Sequence, residues 1–216
     1  MKILYLVTNF DLIGGKEQYD RNVLRVLGEL GERICVVKLG RASFSCKVFF
    51  VAKSFILTMV KKPDVVFCAH ISFSSIAYVL NRLFGVSYII LTHGMEVWDI
   101  KSIFHRKALQ NALFAVTTSS YTALKLCEQM PALREKIFFL KNVADGERFS
   151  IKEKPRYLIQ RHNLAGTRIL LTVAHLYPTE ESKGYLRVID ALPLVQRAFP
   201  DVQYIIVGEG AKSFGD

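Results

Sequence analysis

Eight short apolar runs recur along the chain: Ile3–Val7, Ile34–Val37, Val65–Cys68, Tyr88–Leu91, Leu113–Val116, Ile137–Leu140, Ile169–Val173 and Tyr204–Val207. None alternates apolar with polar residues. A strand with one face in water does alternate, so runs of this kind read as strands covered on both faces. Between most of them lie helix-length amphipathic stretches, at Glu17–Leu30, Val48–Val60, Ser74–Phe84, Ile100–Asn111, Ser119–Gln129 and Lys183–Phe199. Strand alternating with helix predicts an α/β fold whose doubly wound parallel sheet is flanked by helices.

The pattern lapses between Asp145 and Thr167 into a polar, basic stretch containing Pro155, and a fresh strand opens at Arg168. A boundary is expected there, with a first domain over 1–148, a linker over 149–166 and a second domain over 167–216. Roughly 50 residues hold one strand–helix–strand unit, whereas an independent α/β domain usually needs about 100 or more. The second domain is therefore expected to be incomplete in this chain. The 216 residues are 51% apolar, a globular composition that can build a core.

Lys and Arg outnumber Asp and Glu by 29 to 19, a formal charge of +10, so the surface should attract polyanions such as anionic lipid, phosphate-bearing substrates or nucleic acid. Nucleic acid is disfavoured, because the chain carries no RNP, KH or zinc-knuckle signature. Cys35, Cys46, Cys68 and Cys127 have no metal-ligand or disulfide spacing and read as reduced thiols of a cytoplasmic protein. Met1–Val7 is too short an apolar run for a signal peptide and reads as the first buried strand. Lys53 and Ser54 interrupt the greasiest window, Val48–Val60, which falls short of the ~20 apolar residues of a membrane span.

Three places concentrate chemistry. Gly14-Gly15 lies where the first strand turns into a helix, so backbone N–H groups and the helix N-terminus can receive an anion such as a diphosphate. The surrounding residues match neither GxGxxG nor GK[ST], which disfavours dinucleotide oxidoreductases and P-loop NTPases; the same pair also suits a plain tight turn. His93 and Glu96, in Thr92-His93-Gly94-Met95-Glu96, follow a buried strand at the edge where open parallel sheets bind ligands. The imidazole can hydrogen-bond a hydroxyl, with Glu96 orienting it or touching substrate; a satisfied structural histidine is the alternative. His70 also ends a strand but has neither a glycine nor a carboxylate beside it. The third place comprises His175, then Glu180-Glu181-Ser182-Lys183-Gly184, then Val207-Gly208-Glu209-Gly210. Lys183 at a helix start can neutralise a phosphate, or serve as a solvated surface lysine.

Taken in order, Gly14-Gly15, Thr92–Glu96, Thr117–Ala123, Asn142–Asp145 with Phe149, Glu181–Gly184 and Val207–Gly210 resemble the retaining glycosyltransferases of group 1, the GT4 type. The resemblance spans essentially the whole chain. It implies a GT-B architecture of two Rossmann-like domains facing one another across a cleft, the first holding the acceptor and the second the nucleotide-sugar donor. It further implies metal-independent transfer with retention, no cofactor, and a glycan or lipid-linked acceptor, as in polysaccharide biosynthesis. Under it Gly15 meets the donor diphosphate through its backbone N–H, His93 hydrogen-bonds the transferred sugar, and Lys183 stabilises the departing diphosphate, with Gly14, Glu96, His175, Gly208 and Gly210 lining the donor.

The chain departs from that pattern in three respects. His175 stands where the family commonly has Arg, Asn142-Val143-Ala144-Asp145 lacks the usual glycine, and the sequence ends ahead of the family's paired-glutamate motif. The competing expectation is a non-catalytic relative acting as a binding or partner subunit, or one completed by a partner chain. The basic, apolar stretch Arg41–Lys62 reads either as a helix lying on the cytoplasmic face of an anionic membrane or as a core helix with a lysine-rich edge.

Overall fold

The computed structural model describes residues 1–9, 14–40, 43–144, 146, 149–176, 183–208 and 210. Glu180, Glu181, Ser182 and Glu209 of the third motif, Asp145, and Arg41 of the basic stretch lie outside the described residues. The chain forms two compact units that divide between Ala144 and Asp145.

In the first unit, strands β1 (Lys2–Val7), β2 (Arg33–Lys38), β3 (Val65–Cys68), β4 (Ser87–Thr92), β5 (Phe114–Thr117) and β6 (Ile137–Phe139) form one sheet in the order β2-β1-β3-β4-β5-β6. Every pairing is parallel. Alternate residues of β1 feed two different cores, as a pleated strand requires. Leu4 and Leu6 join one cluster with Phe50, Leu80, Leu109 and Leu126, while Tyr5 and Val7 join another with Tyr19. The first cluster is covered by helices α2 (Phe44–Lys61), α3 (Ser74–Phe84), α4 (Ile103–Asn111) and α5 (Ser120–Gln129), and the second by α1 (Gly15–Glu29).

Helix starts follow hydroxyl caps. Ser102 Oγ accepts from the His105 amide at 3.3 Å, so α4 opens at Ile103 and not at Ile100. Ser43 caps the Cys46 amide at 3.3 Å, so α2 begins four residues ahead of the expected Val48. Among the described residues no helix is long and apolar enough to cross a membrane.

The second unit contains α6 (Arg156–His162), β7 (Arg168–Val173), α7 (Tyr185–Ala198) and β8 (Val202–Val207), with β7 and β8 paired in parallel from Arg168↔Val202 to Val173↔Val207. The stretch expected as a linker thus contains a helix. Its seven residues are too few for a visible period, and its start at Pro155 and its stop at Asn163, in the left-handed region at φ 51°, are local backbone signals.

Candidate functional site

The sheet order places a reversal at β1. From β1 the chain adds β2 on one side, then returns to add β3 on the other, so the carboxyl ends of β1 and β3 bound a crevice. Open α/β sheets bind ligands at such a point. Around it stand Thr8 after β1, Gly14 and Gly15 opening α1, His70 after β3, and His93 and Glu96 after β4.

Gly15 is the exposed first residue of α1, and nothing lies within 4 Å of where a side chain would begin. Gly14 is extended at φ −164° and supplies no side-chain cap, so the first amides of α1 are left to other acceptors. Neither glycine is demanded by backbone strain. Gly15 leaves space beside the first amides of α1, while the Glu17 carboxylate of the first turn folds back against Gly14, where a Cβ would meet its Oε2. Lys16 adds a cation there and donates through Nζ to Thr8 Oγ1 at 3.2 Å.

His93 is held from four directions. Its amide donates to Glu96 Oε1, its carbonyl accepts from Thr118 Oγ1 at 3.2 Å, and Nε2 lies 2.9 Å from the Ala69 carbonyl. A carbonyl only accepts, so Nε2 carries the proton and Nδ1 is the acceptor of the neutral ring. The fourth contact is Tyr19, whose ring stands edge-on to the imidazole at 88°, with centroids 5.3 Å apart. Glu96 therefore fixes the backbone of His93, while the Ala69 carbonyl and Tyr19 fix its ring. Nδ1 has no hydrogen-bond partner among the described residues and can accept a hydroxyl proton.

His70 stays neutral. Its Nδ1 accepts from the Ser72 amide at 3.2 Å and lies 2.9 Å from Ser72 Oγ. Burial first, and the Lys16 charge second, lower its pKa to about 4, against a weaker pull from Glu96.

Asp20 lies directly beneath this edge on α1 and is 1% exposed. Tyr5 donates its hydroxyl to Oδ1 at 2.9 Å, while Oδ2 is buried without a partner. Burial raises its carboxyl to about 6, opposed by the Tyr5 hydrogen bond and by the positive charge of Lys16. Tyr19, Asp20 and the Ala69 carbonyl were not singled out from the sequence. The available signal was the inward face of α1 immediately after Gly14-Gly15.

In the second unit the ends of β7 and β8 approach closely. A Cβ on Gly208 would overlap the Ala174 carbonyl oxygen and press on Leu176 Cγ at 3.1 Å, so only glycine fits. Gly210 has φ 126° and Gly184, which caps α7, has φ 74°; both are left-handed. His175 lies just past β7 and an exposed Lys183 just ahead of Gly184, where the N-terminus of α7 offers its amides. Among the described residues no group of three or more His, Cys, Asp or Glu side chains could hold a metal ion, and all four cysteines are free.

No family model matches the chain, and no curated protein matches it. Solved structures do. Anabaena HepE in complex with UDP-glucose aligns over 99% of this chain and 62% of its own, with a TM-score of 0.65 and 16% identity. A glycosyltransferase from Rickettsia africae aligns over 96% and 68%, with a TM-score of 0.65 and 13% identity. Sucrose-phosphate synthase from Thermosynechococcus elongatus aligns over 96% and 71%, with a TM-score of 0.61 and 11% identity. The chain thus spans about three fifths of the length of HepE. At these identities the likeness is one of fold: a GT-B N-terminal sheet flanked by helices, followed by the first strand–helix–strand of a second Rossmann-like domain.

Proposed function

We propose that this chain carries the acceptor side and the opening of the donor side of a retaining, metal-independent glycosyltransferase, moving a sugar from a nucleoside-diphosphate sugar to a glycan or lipid-linked acceptor. The observation that carries this reading is the meeting, at one sheet edge, of the unobstructed Gly15 that opens α1 with a fully positioned His93 that presents Nδ1. The fold shared with HepE, which was solved with UDP-glucose, supports it.

In this reading the amides of Gly14 and Gly15 receive diphosphate oxygens, with Lys16 adding positive charge. His93 Nδ1 accepts a hydroxyl of the transferred sugar and holds the ring as its anomeric bond ionises. Glu96 is a positioning residue that acts through the His93 amide. In the second unit, taken by itself, Lys183 ahead of α7 and His175 after β7 are groups that attract phosphate. Charge builds on the diphosphate as the sugar departs, so fixed cations and amides there contribute the largest electrostatic gain.

The test is calorimetric titration of the chain with UDP and GDP, paired with a donor-hydrolysis assay and repeated on Lys183→Ala. Saturable binding that weakens tenfold or more in the variant is expected. Absence of binding to either nucleotide, together with absence of hydrolysis, overturns the proposal and leaves a non-catalytic binding module.

A further inference from the structure

Helix α2 is apolar on its outward side as well as on its inward one. Its buried residues are Phe50, Ser54 and Thr58, flanked by half-buried Phe55 and Leu57 that pack on the same core, and both hydroxyls bond back to the helix itself, Ser54 Oγ to the Phe50 carbonyl at 2.7 Å and Thr58 Oγ1 to the Ser54 carbonyl at 2.8 Å. Its outward side is apolar. Val48, Phe49, Ala52, Ile56, Met59 and Val60 recur at helical spacing along the exposed arc, with Phe49 at 67% and Val60 at 63% exposure. Exposed Leu83 and Phe84 of α3 extend the patch, and the Phe84 ring meets Phe55 of α2 at 6.2 Å. Such a stripe, on the order of 500 Å², matches the largest apolar patch of a typical soluble monomer, a patch that is often functional.

Cations stand along one edge of the stripe and at the two ends of the helix. Lys47, Lys53, Lys61 and Lys62 lie on α2 or at its end, Arg82 lies on α3, and neither helix contains an acidic residue. From Arg33 to Met95 the only carboxylate side chain is Asp64, which accepts from the Lys2 amide at 2.6 Å. Beside the C-terminal end of α2 a cavity of about 540 Å³ is lined by Lys2, Arg33 and Lys61 together with Leu57 and Val60. It is large enough for a phosphate-bearing headgroup.

We infer that α2 is an interfacial helix that lays its outward arc on an anionic lipid bilayer, with Phe49, Ile56 and Val60 in the acyl boundary and the lysines among the headgroups. Charge complementarity selects this occupant. A convex apolar stripe edged by positive charge, with no negative charge on its helix, fits a plane of anionic headgroups over apolar tails. A second copy of the same surface would bring lysine against lysine. The inference goes beyond the proposed sugar transfer and needs neither donor nor acceptor to test.

The experiment is co-flotation of the chain with vesicles of phosphatidylcholine alone or containing 30% phosphatidylglycerol (about one lipid in three), at low and high salt. Binding to the anionic vesicles only, weakened at high salt, is expected. Ile56→Glu and Val60→Glu, both at exposed positions, should each lower the bound fraction at least tenfold, while Leu124→Glu, exposed on α5, should leave it unchanged. Far-ultraviolet circular dichroism checks that each variant is folded. Failure to float with anionic vesicles overturns the inference, as does equal binding to both compositions. Self-association that Ile56→Glu abolishes, in a chain that binds no vesicles, overturns it in favour of a second copy on this face.

Discussion

Replacing Asp20 with Asn should stabilise the protein, and only above a defined pH. The carboxyl is 1% exposed and titrates at about 6 in the fold, against an ordinary 3.8. An acid whose folded pKa is raised binds its proton more tightly when native, so the native state loses stability as pH climbs from about 4 through about 6 and stays penalised above. A separation of about two pH units corresponds to about 3 kcal/mol at pH 8 and about 0.6 kcal/mol at pH 4. Asparagine keeps an oxygen for the Tyr5 hydroxyl and leaves a neutral polar atom where Oδ2 already lacks a partner, so other differences largely cancel. Urea unfolding can be followed by fluorescence of Trp98, the single tryptophan, which packs on Tyr121 at 5.0 Å in the first unit. Asp20→Asn should be about 3 kcal/mol more stable than the parent at pH 8 and nearly equal to it at pH 4. An equal difference at the two pH values, or a loss of stability at pH 8, would mean that Tyr5 and Lys16 hold Asp20 as a settled carboxylate and refute the reasoning.

Gly15→Ala should separate folding from binding: alanine favours a helix by about 0.5–1 kcal/mol over glycine and has open space here, so stability holds or rises while UDP affinity falls tenfold or more in calorimetry. Gly208→Ala should destabilise the second unit by about 2 kcal/mol or more through overlap with the Ala174 carbonyl, read as earlier exchange of the β8 amides. His93→Asn loses the Ala69 and Tyr19 contacts for about 1 kcal/mol of stability but should lower donor hydrolysis at least a hundredfold; hydrolysis within threefold of the parent would remove His93 from the chemistry.

The sheet was legible because burial on both faces writes a strand as an unbroken apolar run, and each of the eight runs falls on a strand. The helix α6 was not, since Arg156–His162 makes fewer than two full turns. His93 and Glu96 could be read as a pair, yet not that Glu96 would take the backbone amide and leave the ring to Ala69. That division depends on β3 lying beside β4, which brings together residues 24 positions apart, and no local spacing encodes strand order. Tyr19 and Asp20 were hidden for the same reason. The exposed apolar arc of α2 was also hidden: hydropathy counts apolar residues along Val48–Val60 but does not say that Ser54 and Thr58 are buried while Phe49, Ile56 and Val60 are exposed.

The two surfaces of the first unit are linked by topology. α2 opens only five residues after β2 ends, so its first turn, with Phe44 at 83% exposure, stands at the same carboxyl edge as Gly15 and His93. A helix laid on a bilayer would hold that edge near the headgroups. The surfaces nevertheless rest on different residues and different forces, directional hydrogen bonds at the edge and apolar burial with screened charge along α2. They should therefore fail independently. Gly15→Ala should lose nucleotide and keep anionic vesicles, while Ile56→Glu should lose vesicles and keep nucleotide. A variant that loses both while still folded would show that one surface serves both ligands, and the separation of membrane docking from donor binding would have to be abandoned.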